Sequence, residues 1–149
     1  MLENALVKDW MSSPVIMARP DLPLSKAHML MKDHQIRRLP VGDEGKLIGI
    51  VTIGDVREAS PSDATTLSIW ELNYLWAQLT VEKIMTRHVR TARPDDSMID
   101  VAETMLKHKI SGLPVVDEAG HVVGMITESD IFRMLVTSRA TALTTVKDS

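Results

Sequence analysis

A hydroxyl and a carboxylate stand three positions apart at two places in the chain. The pairs are Thr52 with Asp55, in the stretch GIVTIGD, and Thr127 with Asp130, in the stretch GMITESD. Each pair follows an apolar run, which predicts the end of a buried strand and the start of a helix. Side chains of this kind could cap the helix, or they could bind a ligand at its first turn.

The two interpretations use the same geometry. As a cap, the threonine hydroxyl accepts from a backbone amide of the first turn, and the aspartate carboxylate accepts from the backbone amide of the threonine. Glu or Gln is the usual residue at the position of the aspartate. As a ligand site, the amides at a helix N-terminus attract phosphate, and the threonine hydroxyl adds a donor. A carboxylate nearby can accept from two vicinal hydroxyls, as the ribose-binding acid of dinucleotide folds does. The second interpretation therefore describes a nucleotide.

Both motifs belong to an internal repeat. The stretch ARPD occurs at residues 18–21 and 92–95, and LPV occurs at 39–41 and 113–115, an offset of 74 residues. One inserted residue in the second copy changes the offset to 75, which aligns the two Thr-x-x-Asp motifs. Shared Pro, Gly and Asp identities indicate a duplication, and the copies are expected to pack with pseudo-twofold symmetry. The predicted organisation is a first repeat at 1–60, an inter-repeat loop and helix at 61–80, a second repeat at 81–137 and a C-terminal tail at 138–149.

Each copy predicts the element order β-α-β-β-α, which defines an α/β fold. The helix is clearest in the second copy, where Ser97 is a suitable N-cap before an apolar stripe at Met98, Val101, Ala102, Met105 and Leu106. The expected strands lie at residues 15–17, 38–42, 47–51, 89–91 and 122–126. Gly49 and Gly124 fall within the last strand of each copy. Glycine weakens a strand there unless a ligand or a neighbouring backbone approaches closely.

Residues 67–79, between the repeats, predict a helix that is apolar on most sides. One stripe contains Ile69, Leu72, Leu75, Trp76 and Leu79, and another contains Trp70, Tyr74 and Ala77. A helix of this kind needs cover on most sides. Packing against the repeats would supply that cover, and so would a homodimer contact, because interfaces favour Trp and Tyr.

Composition narrows the class of protein. The 149 residues are 44% hydrophobic with a net charge of −3, which allows a core and gives no basic stripe for nucleic acid. There is no cysteine, and the five histidines show no compact metal-ligand spacing. The sequence has no signal-peptide pattern and no apolar run near the roughly 20 residues that span a bilayer. A cytoplasmic protein without membrane contact is expected, and no motif for an activated nucleophile or a phosphate-binding P-loop marks it as an enzyme.

At this point the sequence resembles a pair of cystathionine-β-synthase (CBS) domains, also called a Bateman module. The resemblance covers residues 7–57 and 81–133, including LPVGDEGKLIGIVTIGDV and LPVVDEAGHVVGMITESDI. The layout with an aromatic inter-repeat helix is similar to that of the acetoin-utilisation-like CBS proteins. The resemblance implies two clefts that bind adenosine-containing ligands, namely AMP, ADP, ATP, S-adenosylmethionine or a dinucleotide.

The resemblance also implies roles for particular residues. Asp55 and Asp130 would hold ribose hydroxyls, and Thr52 and Thr127 would reach phosphate or ribose. The remaining implied contacts are to phosphate from Arg37 and Arg38, and to adenine from Ile16, Ile36 and Pro40 in copy one and from Val89, Ile110 and Pro114 in copy two.

Copy two departs from the family pattern, because Ser111 and Gly112 stand where copy one has its two arginines. Lys107 and Lys109 are then the nearest cations. Either one cleft alone binds tightly, or the arginines of copy one serve both ligands.

The expected function is that of a regulatory nucleotide sensor without catalytic residues or a required cofactor. Its conformational change would act on an unidentified regulated protein or within a homodimer, since a ligand shifts an equilibrium by its differential affinity. The alternatives are a ligand-free CBS dimerisation or interaction module and, less favoured by the residues, a nucleotide hydrolase. The particular ligand, the number of filled clefts and the presence of Mg²⁺ with a triphosphate stay open.

Overall fold

The computed structural model describes residues 2–59 and 68–148. A short 3₁₀ turn at Leu2–Asn4 precedes the other elements. These are, in chain order, α1 (Val7–Trp10), α2 (Leu24–Asp33), β1 (Arg38–Asp43), β2 (Lys46–Thr52), α3 (Ile53–Ala59), α4 (Ile69–Gln78), α5 (Val81–Ile84), α6 (Met98–His108), β3 (Gly112–Val116), β4 (Val122–Thr127) and α7 (Glu128–Asp148). The mixed α/β class and its repetition are as the sequence predicts.

The chain divides into two compact units that do not coincide with the sequence repeats. The first unit is Ile16–Val89, and the second unit combines Met1–Val15 with Arg90–Ser149. The leading turn of each repeat therefore packs with the body of the other repeat. Helix α1 belongs to the second unit, and α5 belongs to the first.

Each unit contains one antiparallel strand pair, β1 with β2 and β3 with β4. Arg38 pairs with Thr52 in the first unit, and Gly112 pairs with Thr127 in the second. Each pair has an irregularity in register after its buried valine, Val41 or Val115. The strand pairing thus brings the start of one strand to the Thr-x-x-Asp motif that ends the other.

The strands predicted at residues 15–17 and 89–91 are not formed as regular strands. A single parallel bridge occurs instead in each unit, at Ala18 and at Ala92. Ala18 N–H donates to the Pro40 carbonyl at 2.8 Å, and Ala92 N–H donates to the Pro114 carbonyl at 2.9 Å. Pairing stops there because a proline, which has no N–H to donate, follows two residues later in both copies.

The two mid-strand glycines are approached by the protein's own chain. A Cβ at Gly49 would clash with the Met85 sulfur and lie 3.0 Å from the Thr86 carbonyl, and a Cβ at Gly124 would clash with the Met11 sulfur. Backbone bonds hold these segments in place, including Thr86 N–H to the Ile50 carbonyl at 2.9 Å. The room left by each glycine is therefore filled by the swapped leading segment.

The core of each unit is aliphatic and methionine-rich. Helix α2 buries Leu24, Ala27 and Met31, and α6 buries Met98, Val101 and Met105. Ser97 caps α6 by accepting from the Ile99 amide at 3.2 Å, which confirms the predicted cap. Leu106 was expected in the same stripe and is instead 81% exposed, because it lies at the edge of the buried face.

Helix α4 begins later and ends earlier than the predicted 67–79, and its start at Ser68 is a true N-cap that accepts from the Glu71 amide at 3.2 Å. Trp76 and Leu79 pack against the first-unit core. Leu75, expected on that same face, is exposed, as are Trp70 and Tyr74 of the second stripe. One predicted stripe is thus divided between core and surface.

Helix α7 continues to Asp148, so residues 138–148 of the predicted tail are helical. Across the part of the chain that the structure describes, no helix combines the length and the apolarity that a bilayer crossing requires.

Candidate functional site

The motif of the first unit forms a reciprocal capping box. Thr52 N–H donates to Asp55 Oδ2 at 2.9 Å, and Asp55 N–H donates to Thr52 Oγ1 at 3.1 Å. This confirms the capping interpretation, with Asp in the position usual for Glu or Gln. The cap uses one carboxylate oxygen. Among contacts between described residues, Asp55 Oδ1 accepts no hydrogen bond, and the residue is half-buried.

The predicted basic pair lies beside this motif. Arg38 is the register partner of Thr52, and Ile53 N–H donates to the Arg37 carbonyl at 2.8 Å. Arg37 is exposed and Arg38 is half-buried. The strand pairing thus places the backbone of both arginines beside the residues that begin α3.

The apolar residues predicted for the first unit are placed less evenly. Pro40 is buried in the sheet opposite Ile50. Ile16 and Ile36 are half-buried against the core of the same unit, so part of each side chain is accessible. These two isoleucines are the more suitable surface for a flat ring, whereas Pro40 contributes mainly to the sheet.

The motif of the second unit has a different hydrogen-bond pattern. Asp130 Oδ2 accepts from Thr127 N–H at 2.9 Å and from Thr127 Oγ1 at 3.3 Å. Asp130 Oδ1 accepts from Arg133 Nη2 at 3.0 Å. Asp130 is only 7% exposed, and both of its oxygens have partners within the chain.

Arg133 is held from a second side. The same Nη2 donates to the Trp10 carbonyl at 2.7 Å, and the guanidinium carbon lies 5.6 Å from the centroid of the Trp10 ring, a cation–π distance. Arg133 is not among the residues predicted from the sequence. Its i,i+3 spacing from Asp130 could have indicated an ion pair on the helix. Nothing in the sequence indicates the contact with Trp10.

The other predicted residues of the second copy lie in β3 or directly before it, except Val89. Glu128 N–H donates to the Ser111 carbonyl at 3.0 Å. Ile110 is half-buried against the second-unit core, and Pro114 is buried in the strand. Val89 ends the first unit and so belongs to a different compact unit from these residues.

Basic residues also gather at the end of α6. Lys107 and Lys109 are exposed there. Burial, together with the charges of Arg90 and Lys107, lowers the pKa of His108.

Within residues 2–59 and 68–148, no three His, Asp or Glu side chains form a group that could hold a metal ion.

Comparison with known proteins identifies the family. The chain matches the CBS domain over residues 7–62 and 81–137. The chain therefore belongs to the CBS domain family, and it carries the domain twice, as the resemblance implied.

Solved structures of this family match the chain closely. The CBS domain pair of protein MJ0100, in complex with 5′-methylthioadenosine and S-adenosyl-L-methionine, is 38% identical with a TM-score of 0.74, covering 90% of this chain and 98% of that one. CBSX2 in complex with AMP is 25% identical with a TM-score of 0.74, covering 90% and 98%. A Vibrio cholerae protein described as an acetoin utilization protein (AcuB) is 29% identical with a TM-score of 0.73, covering 97% of each chain.

The curated relatives are mostly longer than the matched region. The L-aspartate semialdehyde sulfurtransferase of Methanocaldococcus jannaschii is 39% identical over 130 residues, which are 87% of this chain and 23% of that protein. The chain spans about a quarter to a half of the length of the first relatives it matches.

Proposed function

We propose that this protein is a regulatory CBS pair that binds an adenosine-containing ligand and signals by a change of conformation. The observation that carries the proposal is the carboxylate of Asp55, which caps its helix with one oxygen, while the other accepts no hydrogen bond from the described residues and could accept from a ribose diol. Support comes from the similar solved domain pairs, which hold AMP, S-adenosyl-L-methionine and 5′-methylthioadenosine.

The ligand would contact the first unit through three kinds of group. Asp55 would accept from the ribose hydroxyls, and Ile16 and Ile36 would lie against adenine. Arg37 would donate to a phosphate, for which the planar fork of a guanidinium is well suited. In the second unit, Thr127, Ile110 and Pro114 are the aligned residues, with Ser111 in place of an arginine, and both oxygens of Asp130 already accept hydrogen bonds within the chain.

Calorimetric titration tests the ribose contact. The ligands are 5′-methylthioadenosine, AMP, S-adenosylmethionine, and ATP with and without Mg²⁺. Asp55→Asn retains an oxygen for the Thr52 amide, so the cap persists, while an amide group replaces the second acceptor. We expect affinity for every adenosyl ligand to fall at least about tenfold, the equivalent of one good hydrogen bond. The matched control is Asp43→Asn at an exposed strand end, which should leave affinity unchanged.

The phosphate contact is tested separately, because 5′-methylthioadenosine has no phosphate. Arg37→Ala should weaken AMP and ATP and leave 5′-methylthioadenosine unaffected. Equal losses for all three ligands would contradict a phosphate role for Arg37. Unchanged binding in Asp55→Asn would contradict the ribose role of Asp55.

The second candidate function is a ligand-free interaction module. The capping box favours it, since Thr52 and Asp55 are each a hydrogen-bond partner of the other and so have a structural role. Absence of heat and of a thermal shift with all the adenosyl ligands would favour this alternative. Phosphate release during overnight incubation with ATP would instead indicate a hydrolase.

We also propose that the protein acts as a homodimer in the cytoplasm, where it alters a partner protein. The exposed side chains of α4 support this, because Trp70 is 81% and Tyr74 66% exposed on the described surface. Light scattering should show a dimer that Trp70→Ala with Tyr74→Ala converts to a monomer. Leu106→Ala, which removes an equally exposed side chain from α6, is the matched control.

A further inference from the structure

We propose that Arg133 is a latch that keeps the second unit closed to ribose, so that the two copies bind adenosyl ligands unequally. The proposal rests on the function proposed above and assigns a role to a residue outside the predicted site. The latch is the contact of the Arg133 guanidinium with Asp130 on one side and with Trp10 on the other.

The carboxylate oxygens of the two motifs have different partners. A ribose diol needs an acceptor on the aspartate that the cap does not use. In the first unit that acceptor is Asp55 Oδ1, which is without a partner as far as residues 2–59 and 68–148 show. In the second unit the corresponding oxygen accepts from Arg133 at 3.0 Å, while Thr127 engages the other oxygen twice.

The contact between Arg133 and Asp130 is an ion pair. In this contact the full positive charge of the guanidinium meets the carboxylate, whereas a ribose hydroxyl offers the carboxylate only a neutral dipole. Neutral ribose hydroxyls are therefore the weaker competitors for Asp130 Oδ1. Asp130 is only 7% exposed, whereas the Arg133 side chain is 58% exposed, so solvent screens the pair from the arginine side.

Trp10 orients the Arg133 side chain. An i,i+3 pair on a helix surface is usually loose, but here the Trp10 carbonyl and ring fix the guanidinium from a separate segment of the same unit. The leading segment of the chain thus positions the latch over the motif of the second repeat.

The first unit has different residues at the aligned positions. The repeat offset of 75 aligns Arg133 with Glu58, and the offset of 74 aligns Trp10 with Ile84. Glu58 has no hydrogen-bond donor on its side chain, and Ile84 has no ring. The first unit therefore lacks both parts of the latch.

Calorimetry with 5′-methylthioadenosine tests the proposal, because this neutral ligand avoids the difference in phosphate-binding arginines. The wild-type chain should bind one equivalent, and Asp55→Asn should weaken that binding at least about tenfold. Arg133→Met removes the donors and keeps an aliphatic side chain against Trp10, so it should bind two equivalents. The matched control Arg133→Met with Asp130→Asn should return to one.

A second variant covers the case in which Arg133→Met does not fold, as judged by circular dichroism. Arg133→Lys keeps the charge but cannot hold Asp130 and Trp10 with one planar group, and it should show a second site weaker than the first. Two equal sites in the wild-type chain would overturn the latch. One site in the wild type, Arg133→Met and Arg133→Lys alike would overturn it and leave the proposed function standing. No binding by the wild type or any Arg133 variant would overturn both.

Discussion

The two units share a backbone plan and differ in the side chains around it. Both have a strand pair, a buried valine before a change of register, a glycine under a methionine, and a Thr-x-x-Asp motif at a helix start. They differ where a ligand would touch them. The first unit has Arg37 and Glu58, and the second has Ser111 and Arg133 at the aligned positions. Duplication thus retained what the fold requires, while charge beside the motif was free to diverge.

The largest expected effect on stability comes from replacing matched leucines in the two cores. Leu39 and Leu113 are aligned and buried in the two strand pairs. Leu39→Ala and Leu113→Ala should each lower the free energy of unfolding by about 2–5 kcal/mol, because each removes buried methyl groups and leaves a cavity. Denaturant unfolding measures both. A cost below about 1 kcal/mol in only one unit would show that the two cores are not equivalent.

The matched glycines give the next effect. In Gly49→Ala the new Cβ would lie 3.0 Å from the Thr86 carbonyl, and in Gly124→Ala 3.1 Å from the Ser12 carbonyl. Each should cost about 1–3 kcal/mol of stability, since backbone cannot yield as a methionine tip can. Gly54→Ala is the control, because its Cβ meets only Thr52 Oγ1 at 3.6 Å and alanine favours a helix. Thermal melts that place all three variants together would refute the close approach.

The caps should separate the two units by a smaller amount. Thr52→Ala removes the acceptor of the Asp55 amide and should cost about 1 kcal/mol. Thr127→Ala should cost less, because Asp130 retains the Thr127 amide and Arg133 as donors. The Thr→Ser variants, which keep the hydroxyl, serve as controls in urea unfolding. Equal losses would mean that the two caps work in the same way.

The smallest effect concerns pH. The pKa of His108 is lowered from its ordinary 6.5, first by burial and then by Arg90 and Lys107, so the unfolded chain takes up this proton more readily than the folded one. Stability should therefore decrease slightly as pH falls through and below about 6.5. His108→Gln should reduce that slope in melts from pH 7.5 to 5.5, buffer values of about one unit on either side of the ordinary pKa. An unchanged slope would contradict the assignment. In the other unit, Ile16 and Asp33 stand where Arg90 and Lys107 stand, so replacement of the aligned His34 is the control.

Much of the fold was predictable because its signals are local. Apolar runs and turn residues predicted β1, β2 and β4 to within a residue or two, and Ser97 marked the start of α6. The capping role of Thr52 and Asp55 also followed from spacing alone. The strands expected at residues 15–17 and 89–91 failed, because a short apolar stretch does not reveal how many backbone partners it will find.

Part of the site was predictable, and part was not. The resemblance to CBS domains implied that Arg37 and Ser111 lie at the sites, and backbone hydrogen bonds from Ile53 and Glu128 place them beside the motifs. The position of Val89 in the first unit was not predictable, because the repeat boundary does not decide where a leading segment packs.

By itself, the sequence determined the duplication, the strand pairs and the two capped helix starts, since each depends on hydrogen bonds and side-chain periods within a few neighbouring residues. Only the tertiary structure decided that each leading turn packs on the other repeat's body, and that Arg133 meets Trp10 across 123 positions of sequence. Such contacts depend on which distant surfaces exclude water together, and local spacing carries no record of that choice.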